Sequence, residues 1–128
     1  MAIFDGYYPE TMYRGTEEVL IIPGNARLFL CQHPVSMRKS FEGLSALVEQ
    51  LFPNELLTGA LFIFLNRRRD HMKVLFWDND GLVIWFKRLE KGTFAWKWGR
   101  ESKIDRRTLL MLLEGVTPKR LQERYKIS

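Results

Sequence analysis

Three adjacent arginines, Arg67-Arg68-Arg69, are the sharpest chemical feature of this chain. They lie in a short polar stretch, Asn66 to Asp70, between two apolar runs, which is where a hairpin turn belongs. Three guanidiniums side by side repel one another, and Asp70 alone cannot pair with all of them. The planar fork of each suits phosphate oxygens and guanine edges. A basic hairpin tip can follow a nucleic-acid backbone or reach a groove. The same charges could instead meet an acidic protein surface, or simply keep a sheet edge soluble. Lys73, Lys87 and Arg88, on the strands expected to follow, extend that surface. Arg38 and Lys39 fall in the first turn of an expected helix, where positive charge opposes the macrodipole and invites an anion or a nearby acid. These cations are the candidate nucleic-acid-binding residues. A second basic group, Arg100, Lys103, Arg106 and Arg107, surrounds the start of a later expected helix and carries the same conflict.

Catalytic chemistry finds less support. Asp78 and Asp80 flank a turn, a place that favours Asp for local reasons, and no third carboxylate stands at a spacing that would complete a magnesium site. Asp70, Asp78 and Lys73 could be assembled into a nuclease centre only by the fold. His33 and His71 are far apart, and neither belongs to a nucleophile or zinc motif. No glycine-rich phosphate loop is present. The single cysteine, Cys31, excludes an internal disulfide and a zinc site built on cysteine pairs; in its apolar run it reads as a small buried hydrophobe. The expectation is therefore a protein without catalytic residues, metal or cofactor.

The elements that must position these cations follow from punctuation and periodicity. The 128 residues, 46% of them hydrophobic and 27% charged, suffice for one folded core. Residues 1–21 show no sustained period and read as a leader, loose or draped over the domain. Ile22-Pro23-Gly24-Asn25 is a turn, and Ala26 to Cys31 a strand. Ser36 is placed to cap a helix whose apolar face is Met37, Phe41, Leu44, Leu47, Val48 and Leu51, ending at Pro53. Gly43 inside it suggests close packing against a neighbour. A meander follows: Ala60–Leu65, Met72–Trp77, Leu82–Leu89 and Phe94–Trp98 as strands, joined by turns at 66–70, 78–81 and 90–93, with Gly81 available for a positive φ. Asp105 caps a helix built on Leu109, Leu110, Leu112 and Leu113 that stops at Gly115. Residues 116–128 form a basic segment, a short helix or a tail. Trp77, Trp85, Trp96 and Trp98 alternate with cations; such rings can stack on bases, though strand aromatics more often fill cores.

Charge is unevenly distributed. The net charge is +5, yet residues 1–65 hold four basic and seven acidic side chains, and residues 66–107 hold twelve and six. Such asymmetry suggests an acidic partner, of which a phosphate backbone is the commonest. No stretch reaches the length of a membrane span, and the first residues lack the pattern of a signal peptide, so no membrane is expected and the cytoplasm is the expected compartment.

Several of these segments, in order, resemble the TnpB accessory proteins of the insertion sequence 66 family. They are Pro34-Val35-Ser36-Met37-Arg38-Lys39-Ser40-Phe41-Glu42-Gly43-Leu44, running on to Leu47-Val48, then Gly59 to Phe64 with Asn66 to Asp70, Lys73 to Gly81, Trp85 to Phe94, and Leu112-Leu113-Glu114-Gly115. The likeness covers about residues 22–115; Val35 and Ser36 stand where the family usually has Thr and Asp. It implies a bacterial transposable-element protein, encoded beside a separate transposase and assisting transposition and DNA recombination, with no catalytic residues to carry over.

Taken together, the expected fold class is α+β: a four- to five-stranded, mainly antiparallel sheet (a β-meander) with one helix near the start and one or two C-terminal helices. The expected organisation is a leader at 1–21, the TnpB-like domain at 22–115 and the basic segment at 116–128. The expected function is non-catalytic DNA binding within a transposition complex, with transposon ends as the DNA and the transposase and other proteins of the element as partners. The alternative is an adaptor that docks onto the transposase without touching DNA, and the third reading is a metal-dependent nuclease.

Overall fold

The computed structural model describes residues 2–3, 10–14, 19–99 and 101–114. The chain begins with three strands, β1 (Ala2–Ile3), β2 (Glu10–Arg14) and β3 (Val19–Ile22), paired antiparallel in that order. Leu20 and Ile22 of β3 are fully buried in the main core. After the turn at Pro23, closed by the Ala26 N–H donating to its carbonyl, come β4 (Leu28–Leu30), α1 (Phe41–Leu51), β5 (Leu61–Leu65), β6 (His71–Asp78), β7 (Gly81–Arg88), β8 (Lys103–Ile104) and α2 (Arg106–Glu114).

The second sheet is five-stranded, in the order β7-β6-β5-β4-β8. This is the α+β architecture expected: mostly antiparallel, one helix early and one late. Its one parallel pair is β4 with β5, with Leu28 opposite Leu61 and Leu30 opposite Ile63. A parallel pair needs a long crossover, and α1 with its flanking loops supplies it. The meander is thus only β5-β6-β7, and the early helix is the crossover of a β-α-β unit.

Both faces of β5 are buried along its whole length, because the sheet is covered on both sides. One face packs Leu28, Leu30, Leu61, Ile63, Leu65, Met72, Val74 and Trp85 against Leu20, Ile22, Phe94 and the Leu109, Leu112 and Leu113 of α2. The other packs Phe62, Phe64 and Leu75 against Leu44 and Val48 of α1. Burying each such side chain contributes about 1.5–3 kcal/mol. No described helix is long and apolar enough to cross a membrane.

Three local expectations are corrected. Residues 94–98 are not a strand: Phe94 is drawn fully into the core and its N–H donates to the Arg69 carbonyl at 2.6 Å, so this segment packs as an irregular strap and the edge pairing of β4 falls to the short β8. α1 starts at Phe41, not after Ser36; Ser36 closes a separate turn, its Oγ accepting the Arg38 N–H at 3.2 Å and its carbonyl the Lys39 N–H at 3.2 Å. In the 78–81 hairpin the positive φ belongs to Asn79 (60°), not to Gly81. Gly115 and residues 116–128 lie outside the described residues.

Candidate nucleic-acid interface

One end of the large sheet collects most of the candidate cations. β4 and β5 finish there, β6 begins there and β7 finishes there. The chain leaving β4 keeps to β5, through the Cys31 N–H to the Ile63 carbonyl at 3.0 Å and the Val35 N–H to the Leu65 carbonyl at 2.9 Å. That brings the turn of Ser36–Lys39 to the end of the sheet that carries the Asn66–Asp70 hairpin turn.

The hairpin turn is built by Asn66. Its Oδ1 accepts the N–H groups of Asp70 (3.0 Å) and His71 (3.1 Å), and its Nδ2 donates to Asp70 Oδ1 at 2.7 Å. His71 Nδ1 meets the same carboxylate oxygen at 2.7 Å. The Asn66 amide, then His71, hold the Asp70 carboxyl below its ordinary value of 3.8; the nearby Arg68 charge adds to this. Asp70 is thereby occupied within the turn. Arg67 and Arg68 are left exposed at the tip, and neither is in an ion pair among the described residues.

Arg69 behaves differently from its two neighbours. It adopts the left-handed backbone conformation (φ 59°) and is partly buried. Its guanidinium donates to the Trp96 carbonyl, while its own carbonyl takes the Phe94 N–H. Asp70 in turn accepts the Leu89 N–H at 2.8 Å. Arg69 therefore fastens the 89–96 strap to the hairpin and is not a free surface cation. That strap brings Lys91, exposed, to the same end. Sequence reasoning passed over Lys91, although alternate turns of a meander must fall at one end of the sheet.

Lys73 is likewise internal. Its Nζ donates to the carbonyls of Met37 at 2.9 Å and Lys39 at 2.7 Å, and lies 5.7 Å from the Phe86 ring centroid. Burial pushes its pKa down. Arg38 and Lys39 are exposed on the turn it holds, and the Lys39 stem lies along Gly43, where an added Cβ would come within 3.2 Å of it. Arg88, opposite His71 in the ladder, shares the sheet face of Lys73. It pairs with Glu90 at 3.2 Å, both side chains well exposed, a contact worth about 0–1 kcal/mol that leaves the guanidinium available. Lys87 is opposite Met72 and so projects from the other face, partly buried.

The second basic group is divided and lies elsewhere. Arg100 is outside the described residues. Lys103 is exposed on β8, and Arg107 is exposed at the start of α2. Arg106 donates to the carbonyls of Ile22 (3.3 Å) and Pro23 (3.0 Å), next to the beginning of β4. The conflict with the helix dipole is met by Asp105, whose Oδ1 accepts the Thr108 N–H at 2.7 Å; the Thr108 hydroxyl first, and that N–H second, hold its carboxyl below the ordinary value.

Three of the tryptophans serve the core, while Trp77 on β6 is only partly buried. Trp85 is buried, and Trp96 and Trp98 pack on the core, with Trp96 Nε1 donating to Gln32 Oε1 at 3.4 Å. Cys31 is buried as expected, and burial raises its thiol pKa. The imagined nuclease centre is not assembled: Asp70 and Asp78 bracket β6 and are separated by roughly 25 Å of strand. Among the described residues no three His, Cys, Asp or Glu side chains are placed to share a metal ion.

What the fold and this end of the sheet define is a mixed α+β domain that presents one cationic, turn-built surface. The chain belongs to the family of IS66 Orf2-like proteins, which it matches over residues 26–123. It is accordingly an accessory protein associated with IS66 transposition. Two proteins of Sinorhizobium fredii are similar to it. The uncharacterized protein y4hO is 30% identical over 104 residues, covering 80% of this chain and 90% of y4hO. The uncharacterized protein y4jC is 32% identical over 68 residues, covering 53% and 58%. No solved structure matches the chain.

Proposed function

We propose that this chain binds DNA non-catalytically within the IS66 transposition complex, in the cytoplasm, with the transposon ends as its direct partner. The observation that carries the reading is the gathering of Arg38, Lys39, Arg67 and Arg68, exposed and outside any ion pair among the described residues, at one end of one sheet. Arg88 and Lys91 flank them. Cations so placed gain more from phosphate oxygens than from water, because binding releases counterions from the DNA. Their setting on tight turns at the end of a packed sheet suits contact along a backbone. It gives no sign of base readout.

Arg69 and Lys73 leave the set of contacts under this reading, since their charged groups are committed to carbonyls of the protein. Lys87 becomes a peripheral member.

The test is binding of the purified protein to a transposon-end duplex and to a scrambled duplex at low and high salt. The reading expects binding to both at low salt and a log–log slope of about 0.9 for each phosphate neutralised. Absence of binding at low salt would sink it. The adaptor reading is favoured by one observation: Phe41, Leu51 and Leu57 are large apolar side chains left exposed on and after α1, Leu57 at 61%. It expects association with the transposase that survives high salt and the loss of those three side chains to abolish it.

A further inference from the structure

The amine of Lys73 is committed to the turn that presents two of the cations. Its acceptors, the carbonyls of Met37 and Lys39, bracket Arg38. Among the described residues the other hydrogen bonds of that turn are internal: the Arg38 N–H donates to Ser36 Oγ, and the Lys39 N–H to the Ser36 carbonyl. They shape the turn; its ties to the sheet are the Val35 N–H to the Leu65 carbonyl just before it and Lys73 at the Arg38–Lys39 part itself. Ser40, which follows and leads into α1, makes no side-chain cap bond. Lys73 lies on β6, two residues from the strand's first residue and directly beyond the hairpin that carries Arg67 and Arg68.

We infer that Lys73 is a positioning residue: it fastens the Arg38–Lys39 turn to the strand that carries the Arg67–Arg68 tip, so that the two pairs of cations meet a phosphate backbone in a set relation. The inference rests on the DNA-binding reading above. An ammonium is suited to the role because it has three donors and no acceptor, and can hold two carbonyls at once. A residue of similar length without donors would keep the packing on Phe86 yet leave both carbonyls unpaired on the protein. Side chains held in their bound arrangement lose less freedom on association, which is why the anchor matters for affinity although it touches no DNA.

A double-mutant cycle separates positioning from contact. Binding to a transposon-end duplex is measured for Lys73→Met in the native chain and in an Arg38→Ala/Lys39→Ala background, with Lys73→Arg alongside. Amide hydrogen exchange is followed at residues 36–40 and 66–71. Lys73→Met should weaken binding about tenfold in the native chain, the size of having to order two long side chains on association, and have almost no effect once Arg38 and Lys39 are gone. Lys73→Arg should retain most of the affinity. Exchange should rise at 36–40 and stay unchanged at 66–71. Equal weakening in both backgrounds would make Lys73 a phosphate contact and overturn the inference, as would unchanged exchange at 36–40. A native chain that ignores the duplex sinks the DNA reading itself; the exchange comparison then decides alone whether the anchor exists.

Discussion

The two hairpin turns at the ends of β6 are opposite in charge and in construction. At the start of the strand, Asn66–Asp70 carries three arginines and is bonded on every side: by Asn66 from within, and by Leu89, Phe94 and Trp96 from the strap. At its end, Asp78–Gly81 carries two exposed carboxylates and is a two-residue loop eased by a left-handed Asn79. One turn is a platform and the other is a connection. The difference is one of outside support: the basic turn is held by backbone groups of the strap, by one asparagine and by Arg69, taken from the cluster itself, while the acidic turn closes on the ladder of its own two strands.

The contrast can be broken most severely at Phe94, the buried foot of the strap. Phe94→Ala should cost about 3–5 kcal/mol through the cavity it leaves in the core, although the backbone N–H that the Arg69 carbonyl accepts is kept; chemical denaturation measures it. Asn66→Ala should cost about 2 kcal/mol, because the Asp70 and His71 N–H groups lose their acceptor. The same denaturation curves report it, and a cost below 0.5 kcal/mol would mean that the turn does not depend on Asn66.

Acid should act on the basic turn next. The folded-state pKa of Asp70 is depressed, so the stability it contributes is present above the ordinary value of 3.8 and is lost as pH falls through and below it. Asp70→Asn should flatten the acid side of the stability–pH profile in that window. Asp105 is shifted in the same direction, so part of the slope should remain. The smallest effect is expected at the acidic turn: Asn79→Gly, at a position with φ 60°, should change stability by less than about 0.5 kcal/mol.

Much of this was legible from the residues. The alternation and turn chemistry of 60–88 placed three strands and two turns close to where they lie, and the leucine spacing of 109–113 with Asp105 gave the last helix and its cap. What failed was whatever depended on distant partners. Phe94, Trp96 and Trp98 have the composition of a strand, but Arg69 takes the Phe94 N–H and the Trp96 carbonyl that a strand would offer its neighbour. Ser36 has the composition of a helix cap, but Lys73, thirty-seven residues on, holds the next carbonyls in a turn. Parallel pairing of β4 with β5 leaves no local trace, because it is set by which faces the two apolar runs must bury.

The site was legible as a set and not as individual roles. Charge asymmetry and the arginine triple pointed to the hairpin on which the candidate surface is built. Nothing in three identical letters distinguishes Arg69 from Arg67 and Arg68, since the distinction comes from a backbone φ and a carbonyl twenty-seven residues away. Arg38 and Lys39 joined the same end because the chain after β4 follows β5 before turning into α1.

The central claim is that the hairpin end of the sheet, and not the basic group around β8 and α2, meets the phosphate backbone. Its most direct test compares salt slopes of duplex binding for the native chain, an Arg67→Ala/Arg68→Ala variant and a Lys103→Ala/Arg107→Ala variant. The first variant should bind more weakly and lower the slope by about 1.8, twice the value per phosphate, while the second keeps the native slope. A native slope in the first variant, with the loss appearing in the second, would contradict the claim.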